Sequence, residues 1–188
     1  MGNLLPLFIA APVAGWGAWK MIQSGSVSTE GLLWCSGAVV LLWMGVNFLG
    51  LFRNGSMKRA LYLRLKSSVY DLPADPFFAG FARPAFRSAI DPHEDVGFVL
   101  LYPDRIEFFG DKDTISLPKS CLEAVRLRPN PHSWAFLGGW VSVEGKLEGE
   151  PVRMLLEPRE RPTLWGNRRL RGAFKNRIEK WLQTAARA

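Results

Sequence analysis

The chain has 188 residues, a formal net charge of +7, 48% hydrophobic residues and only two cysteines and two histidines. Its mean hydropathy of +0.01 averages a lipid-like first quarter with a remainder of ordinary soluble composition, long enough after about residue 90 for one small domain. Isolated thiols and histidines supply no ligand set for a protein-bound metal, and the basic balance suits anionic lipid or membrane topology better than nucleic acid.

From Gly2 to Trp19 no side chain is charged, and Lys20 is placed to snorkel toward an interface. A first span is expected at about 4–22. A signal peptide is the rival reading, but the chain begins Met-Gly-Asn rather than with a cationic segment, and no cleavage-like boundary follows. Pro6 occupies the place where a myristoylation motif needs Ser or Thr. Pro12 is expected to kink the span. Ala10, Ala14 and Ala18 recur every four residues, as do Ala11 and Gly15, a spacing that lets helices approach closely.

The polar segment 23–30 is a tight connection between antiparallel helices. The uncharged run from Gly31 to Phe52 follows. A helix of that length rises about 33 Å, enough to cross a hydrocarbon core of roughly 30 Å. Cys35 lies within it, away from Cys121, so no disulfide is expected and a reducing compartment fits. Trp43 falls near the middle of the run, where its N–H needs a partner. Asn47 either bonds across the hairpin or to another subunit, or serves as an amide near the interface. Arg53, Lys58, Arg59, Arg64 and Lys66 then appear with no acid before Asp71. By the positive-inside rule both termini are expected on the cytoplasmic side of the inner (plasma) membrane.

Residues 1–55 therefore read as a transmembrane hairpin, and 56–95 as a basic, Pro- and Phe-rich interfacial connector. Within the connector, 56–70 fits a helical stripe (Met57, Leu61, Leu65, Val69) and an alternating strand equally well. Pro73, Pro76, Pro84 and Pro92 oppose a long regular element. Phe77, Phe78, Phe81 and Phe86, interleaved with Arg83 and Arg87, suggest a loop that dips into headgroups or docks on a partner; folding back over the soluble domain is the other reading.

From 96 the pattern is β-like. Short strands are expected at Gly97–Tyr102, Arg105–Phe109, Thr114–Leu117, Leu122–Leu127, Trp140–Val143 and Val152–Leu156, with Pro103-Asp104 and Gly110–Asp113 as turns. Thr163 is the expected N-cap of a last helix, with Leu170, Phe174, Ile178, Trp181 and Leu182 on its apolar face. The expected class is α+β: a helical hairpin, then a small antiparallel barrel or sandwich capped by a C-terminal helix. The segment LLYPDRIEFFGDKDTISLPKSCLEAVRLR with the closing helix resembles the pleckstrin-homology-like superfold, especially bacterial PH-like and GRAM-like domains, over residues 96–186. That resemblance implies lipid binding, peptide binding or scaffolding without naming one of them.

No nucleotide, hydrolase or metalloprotease motif is present, and no cofactor is expected. Asp91-Pro92-His93-Glu94-Asp95 reads as a Pro-rich turn rather than a cation site, and His132 as a loop residue. Between Arg159 and Arg187 nine cations face two acids. On a helix Arg168, Arg169, Lys175 and Lys180 fall away from the Phe174 face, free to meet headgroups at about 1 kcal/mol each; a solvated helix face is the plain alternative. The expected function is a non-catalytic, membrane-anchored PH-like module that binds protein partners or anionic lipid as an accessory factor. The alternative is a structural subunit of a larger integral membrane complex. Neither uses nucleic acid.

Overall fold

The structure, a computed structural model, describes residues 5–84 and 91–184. Phe86, Arg87 and Arg187 lie outside the described residues. The chain divides into two units, one ending at Phe52 and the other beginning at Arg53.

The first unit is a helical hairpin of α1 (Leu5–Ser24) and α2 (Thr29–Leu49). Gly25, at φ +64, closes α1, and the Ser28 side chain caps α2 by accepting from the Gly31 N–H at 3.1 Å. Helix α1 runs on through Pro12. Its buried seam is Pro6, Ala10 and Gly17, set against Gly31, Ala38 and Asn47 of α2. A Cβ on Gly17 would stand 2.9 Å from the Gly31 carbonyl oxygen, and one on Gly45 would stand 2.7 Å from Pro6 Cβ. Of the expected Ala10–Ala14–Ala18 row, Ala10 is buried in this seam, Ala14 is half-buried and Ala18 is exposed. Two successive steps of four drift by about 80°, whereas 6, 10 and 17 combine a step of four with a step of seven and return to within about 20°. Trp43 lies outside the seam, 37% exposed.

The second unit opens with α3 (Asn54–Ser68), so the ambiguous segment is a helix. Its Leu61 and Leu65 are buried, and its cationic positions point elsewhere. Seven strands follow: β1 (Phe77–Ala82), β2 (Asp95–Leu101), β3 (Arg105–Gly110), β4 (Thr114–Pro118), β5 (Leu122–Arg128), β6 (Trp140–Leu147) and β7 (Glu150–Pro158). They form one antiparallel sheet in the order β4-β3-β2-β1-β7-β6-β5. The chain closes with α4 (Leu164–Thr184).

Strand β1 is the main departure from the sequence expectation. Phe77 and Phe78 do not line an interfacial loop. Phe78 has no exposure, and Phe77 stacks on Phe174 of α4 with ring centroids 4.0 Å apart. Alternation along β1 sends Phe77, Ala79 and Phe81 to one face and Phe78 to the other. The first face joins Ile106, Phe108, Val141, Val143, Met154 and Leu156 in a core closed by Phe174 and Ile178. The second packs Phe78, Phe98 and Leu100 against Leu61 and Leu65 of α3. Both faces of β1 are buried, so it reads as an apolar run rather than a half-exposed strand.

The ends of α4 are tied down. Thr163 Oγ1 accepts from the Gly166 N–H at 3.1 Å, as an N-cap should. Trp181 Nε1 donates to the Tyr102 carbonyl at 2.7 Å. The β6–β7 turn places Glu148 and Gly149 at φ +53 and +86, the left-handed pair that a two-residue hairpin of right-twisted strands requires.

Candidate functional site

The densest chemistry lies where the β1–β2 and β5–β6 connections meet over β1, β6 and β7. Outward alternation on β7 places Glu157 beneath these connections. Its Oε2 is 2.7 Å from His93 Nε2, and both side chains are 4% exposed. The His93 ring fits because Gly80 opposes it: a Cβ there would stand 2.0 Å from His93 Cδ2. His93 Nδ1 lies 3.0 Å from Asp91 Oδ1, and the ring meets Trp140 edge-on at 5.3 Å. Glu157 Oε1 accepts from Asn130 Nδ2 at 3.0 Å and from the Gly139 N–H at 2.9 Å.

Two carboxylates flanking one imidazole set the protonation. Burial pulls His93 down, but the hydrogen bonds to Asp91 and Glu157 and the Glu157 charge outweigh it, and the net shift is upward from 6.5. Burial pushes Glu157 up; its His93 bond and charge, aided by the Gly139 N–H, outweigh this and leave it below 4.5. Burial also opposes ionisation of Asp91, and His93 overcomes it, bringing that carboxyl down to about 2. The imidazolium and the Glu157 carboxylate form a buried ion pair. Arg159, depressed by its own burial, is held charged by Asp91 and Glu157. The pair sits under the loops rather than in a cleft, and among the described residues no three His, Cys, Asp or Glu are grouped to hold a metal ion.

The same carboxylate holds up the β5–β6 connection. Pro131–Ala135 forms a 3-10 turn with a capping box between Asn130 and Ser133. Ser133 Oγ accepts from the Asn130 N–H at 2.9 Å and lies 3.3 Å from the Gly138 carbonyl oxygen. Phe136 ends the turn at φ +59. This scaffold turns Leu137 fully inward and leaves Trp134 91% and Phe136 70% exposed. Helix α4 brings its first turns alongside: the Arg168 guanidinium lies 5.7 Å from the Phe136 ring centroid, and Arg169 lies 3.7 Å from that of Trp165.

The sequence-selected cations divide accordingly. Arg168 and Arg169 join this aromatic surface. Lys58 is ion-paired with Glu160, Arg64 donates to the Gly110 and Asp111 carbonyls, and Lys175 pairs with Glu179 at 2.6 Å. Arg59 and Lys180 are exposed, and Arg53 precedes α3 in a left-handed conformation. Trp134, Phe136 and Trp165 were not singled out in the sequence; their signal is aromatic residues in a turn-rich segment and a helix start, where no alternation assigns them to a core. A concavity of about 430 Å³ lies between α3 and α4, lined by Lys58, Tyr62, Phe98 and Arg177 among others. Its charges are internally engaged, Lys58 with Glu160 and Arg177 with the Asp75 carbonyl at 2.5 Å.

No protein-family model matches the chain, and no curated protein sequence matches it.

Proposed function

We propose that the chain is a membrane-anchored, non-catalytic binding module. The hairpin spans the inner membrane, and the α+β unit works at the cytoplasmic face on anionic lipid or a protein partner, as an accessory factor. The observation that carries this reading is the outward surface of the hairpin. Phe8, Ile22, Leu33, Val39 and Phe48 are between 57% and 74% exposed on two helices long and apolar enough to cross a bilayer. Apolar surface left open along both helices suits lipid rather than water. Lys20 and Glu30, 3.3 Å apart, lie at the connecting end, where charge is tolerated. The seven-strand antiparallel sheet, in which β1 joins a β1–β4 meander to a β5–β7 meander, together with one C-terminal helix, supports the PH-like assignment of the second unit. The enclosure of His93 and Glu157 supports a binding rather than a catalytic role.

The test is extraction and topology. The chain is expected to stay with membranes in alkaline carbonate. In sealed cells a Ser26→Cys variant is expected to react with an impermeant maleimide, while a cysteine added after Ala188 is protected. Release by carbonate, or labelling of the C-terminus from outside, overturns the reading. A second reading, a subunit of a larger membrane complex, is favoured by Ala11, Gly15 and Ala18, which are exposed on α1; a Cβ on Gly15 would meet nothing within 4 Å. Co-purification of a stoichiometric integral partner in mild detergent separates the two.

A further inference from the structure

We infer that the β5–β6 turn and the start of α4 form a bilayer-docking surface: Trp134 and Phe136 enter the interface of an anionic leaflet while Arg168 and Arg169 meet its phosphates. The inference rests on the anchored-module reading and adds the site through which the second unit touches lipid.

Three observations carry it. First, the exposure is built rather than incidental. A loop with free choice would bury an indole, yet Trp134 is held 91% exposed by a turn fastened through Asn130, Ser133 and the buried Glu157. Second, the composition matches one occupant. Indole and phenyl rings beside guanidiniums are the pairing an anionic headgroup layer favours, rings at the acyl boundary and cations at the phosphates. The acids that flank the two arginines in sequence are engaged with other cations, Glu160 with Lys58 and Glu179 with Lys175. Third, the connection that leads into α4 is fastened as the turn is. Asn54, two residues beyond Phe52, donates to the Arg159 carbonyl at 2.7 Å, and Glu160 accepts from the Phe78 N–H at 2.7 Å. The β7–α4 connection leading to Trp165 is thereby pinned to the first turn of α3.

The experiment uses the full chain in nanodiscs of phosphatidylcholine alone or with phosphatidylserine. Cys35 and Cys121 are replaced by serine, and the environment-sensitive fluorophore NBD is attached at position 134 in a Trp134→Cys variant. A parallel Leu147→Cys variant places the probe at the far end of β6, about 23 Å along the strand. Incorporation is first checked by flotation and circular dichroism; failure of the folded chain to incorporate counts against the anchored-module reading and so against both. In incorporated chains the probe at 134 is expected to shift to the blue and gain intensity in phosphatidylserine-containing discs. High salt is expected to reverse the change, and Arg168→Glu with Arg169→Glu to abolish it, each lost arginine weakening docking about fivefold. The probe at 147 is expected to stay water-like. A water-like probe at 134 in both lipids overturns the inference while leaving the anchor intact. So does a blue shift that persists in lipid-free detergent or appears only with a co-purifying protein, since the surface then serves a second copy or a protein partner.

Discussion

Replacing Glu157 removes the ion-pair partner of His93 Nε2 and the acceptor of Asn130 Nδ2 and the Gly139 N–H. Breaking one side of a buried ion pair costs about 3–5 kcal/mol, because the other charge stays buried without compensation. Glu157→Ala is therefore expected to lower the thermal midpoint of the chain in detergent by roughly 10 °C, at a few degrees per kcal/mol for a unit of this size. Near-UV circular dichroism reads it well, since Trp140 packs against His93. Glu157→Gln keeps an oxygen for Asn130 and Gly139 and so costs less than alanine, by about 1–2 kcal/mol for the two bonds retained. Its signature lies in pH. The raised His93 contributes stability that is complete below 6.5 and is lost as pH rises through its folded value. The lowered Glu157 contributes above 4.5 and is lost as pH falls. The pair is thus fully effective between about 4.5 and 6.5. Glutamine removes two of the influences that raise His93, so the alkaline decline above 6.5 is expected to flatten. An alanine variant within about 1 kcal/mol of the parent, or an unchanged alkaline slope in Glu157→Gln, refutes the ion-pair account.

Glu144 gathers Arg128 at 2.6 Å and Arg153 at 3.4 Å, and the Arg128 bond, ahead of Ser142 and the other charges, holds its carboxyl down to about 2. Its stabilisation is present above 4.5 and fades toward pH 2, so Glu144→Gln is expected to cost about 1–2 kcal/mol at neutral pH and little in acid, by denaturation at the two pH values. Cys35 Sγ lies 3.9 Å from the Ala14 carbonyl; an Ala14→Cys variant is expected to cross-link to Cys35 with a mild oxidant, and adding Gly17→Val to abolish this by forcing the helices apart. Gly149→Ala, at φ +86, is expected to destabilise by about 1 kcal/mol, and Glu148→Gly to be neutral or stabilising, by thermal midpoint.

Elements whose residues alternate or recur with one period were legible in the sequence. Strands β3 and β5 followed from alternation, β2 from an apolar run before a Pro-Asp turn, β4, β6 and β7 from the turns beside them, and the Phe174–Ile178 stripe of α4 from helical spacing. Strand β1 did not, because both its faces are covered and Phe77-Phe78 then look like a loop that seeks lipid. The prolines are consistent with a short element only: Pro76 and Pro84 bracket the six residues of β1. The hairpin was legible as two apolar helices, yet its seam was not, since alanine rows are common in such helices and Gly17, Gly31 and Gly45 acquire meaning only when a partner backbone is seen at 3 Å. His93 and Glu157 are 64 positions apart, and no local pattern joins them. The cations of α4 were visible as charge, but which ones are engaged depends on neighbours such as Glu179 and Phe136.

The buried pair and the exposed rings are parts of one construction. A turn that leaves two aromatic side chains outside the core gains nothing from burying them, and fixing its backbone costs about 1–2 kcal/mol per residue. That cost is offset below the turn, where Asn130 caps it and also donates to Glu157. Gly138 and Gly139 permit this closeness: a Cβ on Gly138 would stand 2.7 Å from Glu157 Oε1, and one on Gly139 would strike the Arg171 guanidinium. An aromatic surface already ordered in this way loses little entropy when it docks, so its affinity comes from contact rather than from folding. Weakening Glu157 is therefore expected to loosen Trp134 before the sheet itself opens. Hydrogen exchange in the Glu157→Gln variant should show lost protection first at 130–138, with β1 and β7 retained. Uniform loss across the unit would mean that the pair braces the whole sheet and not this turn.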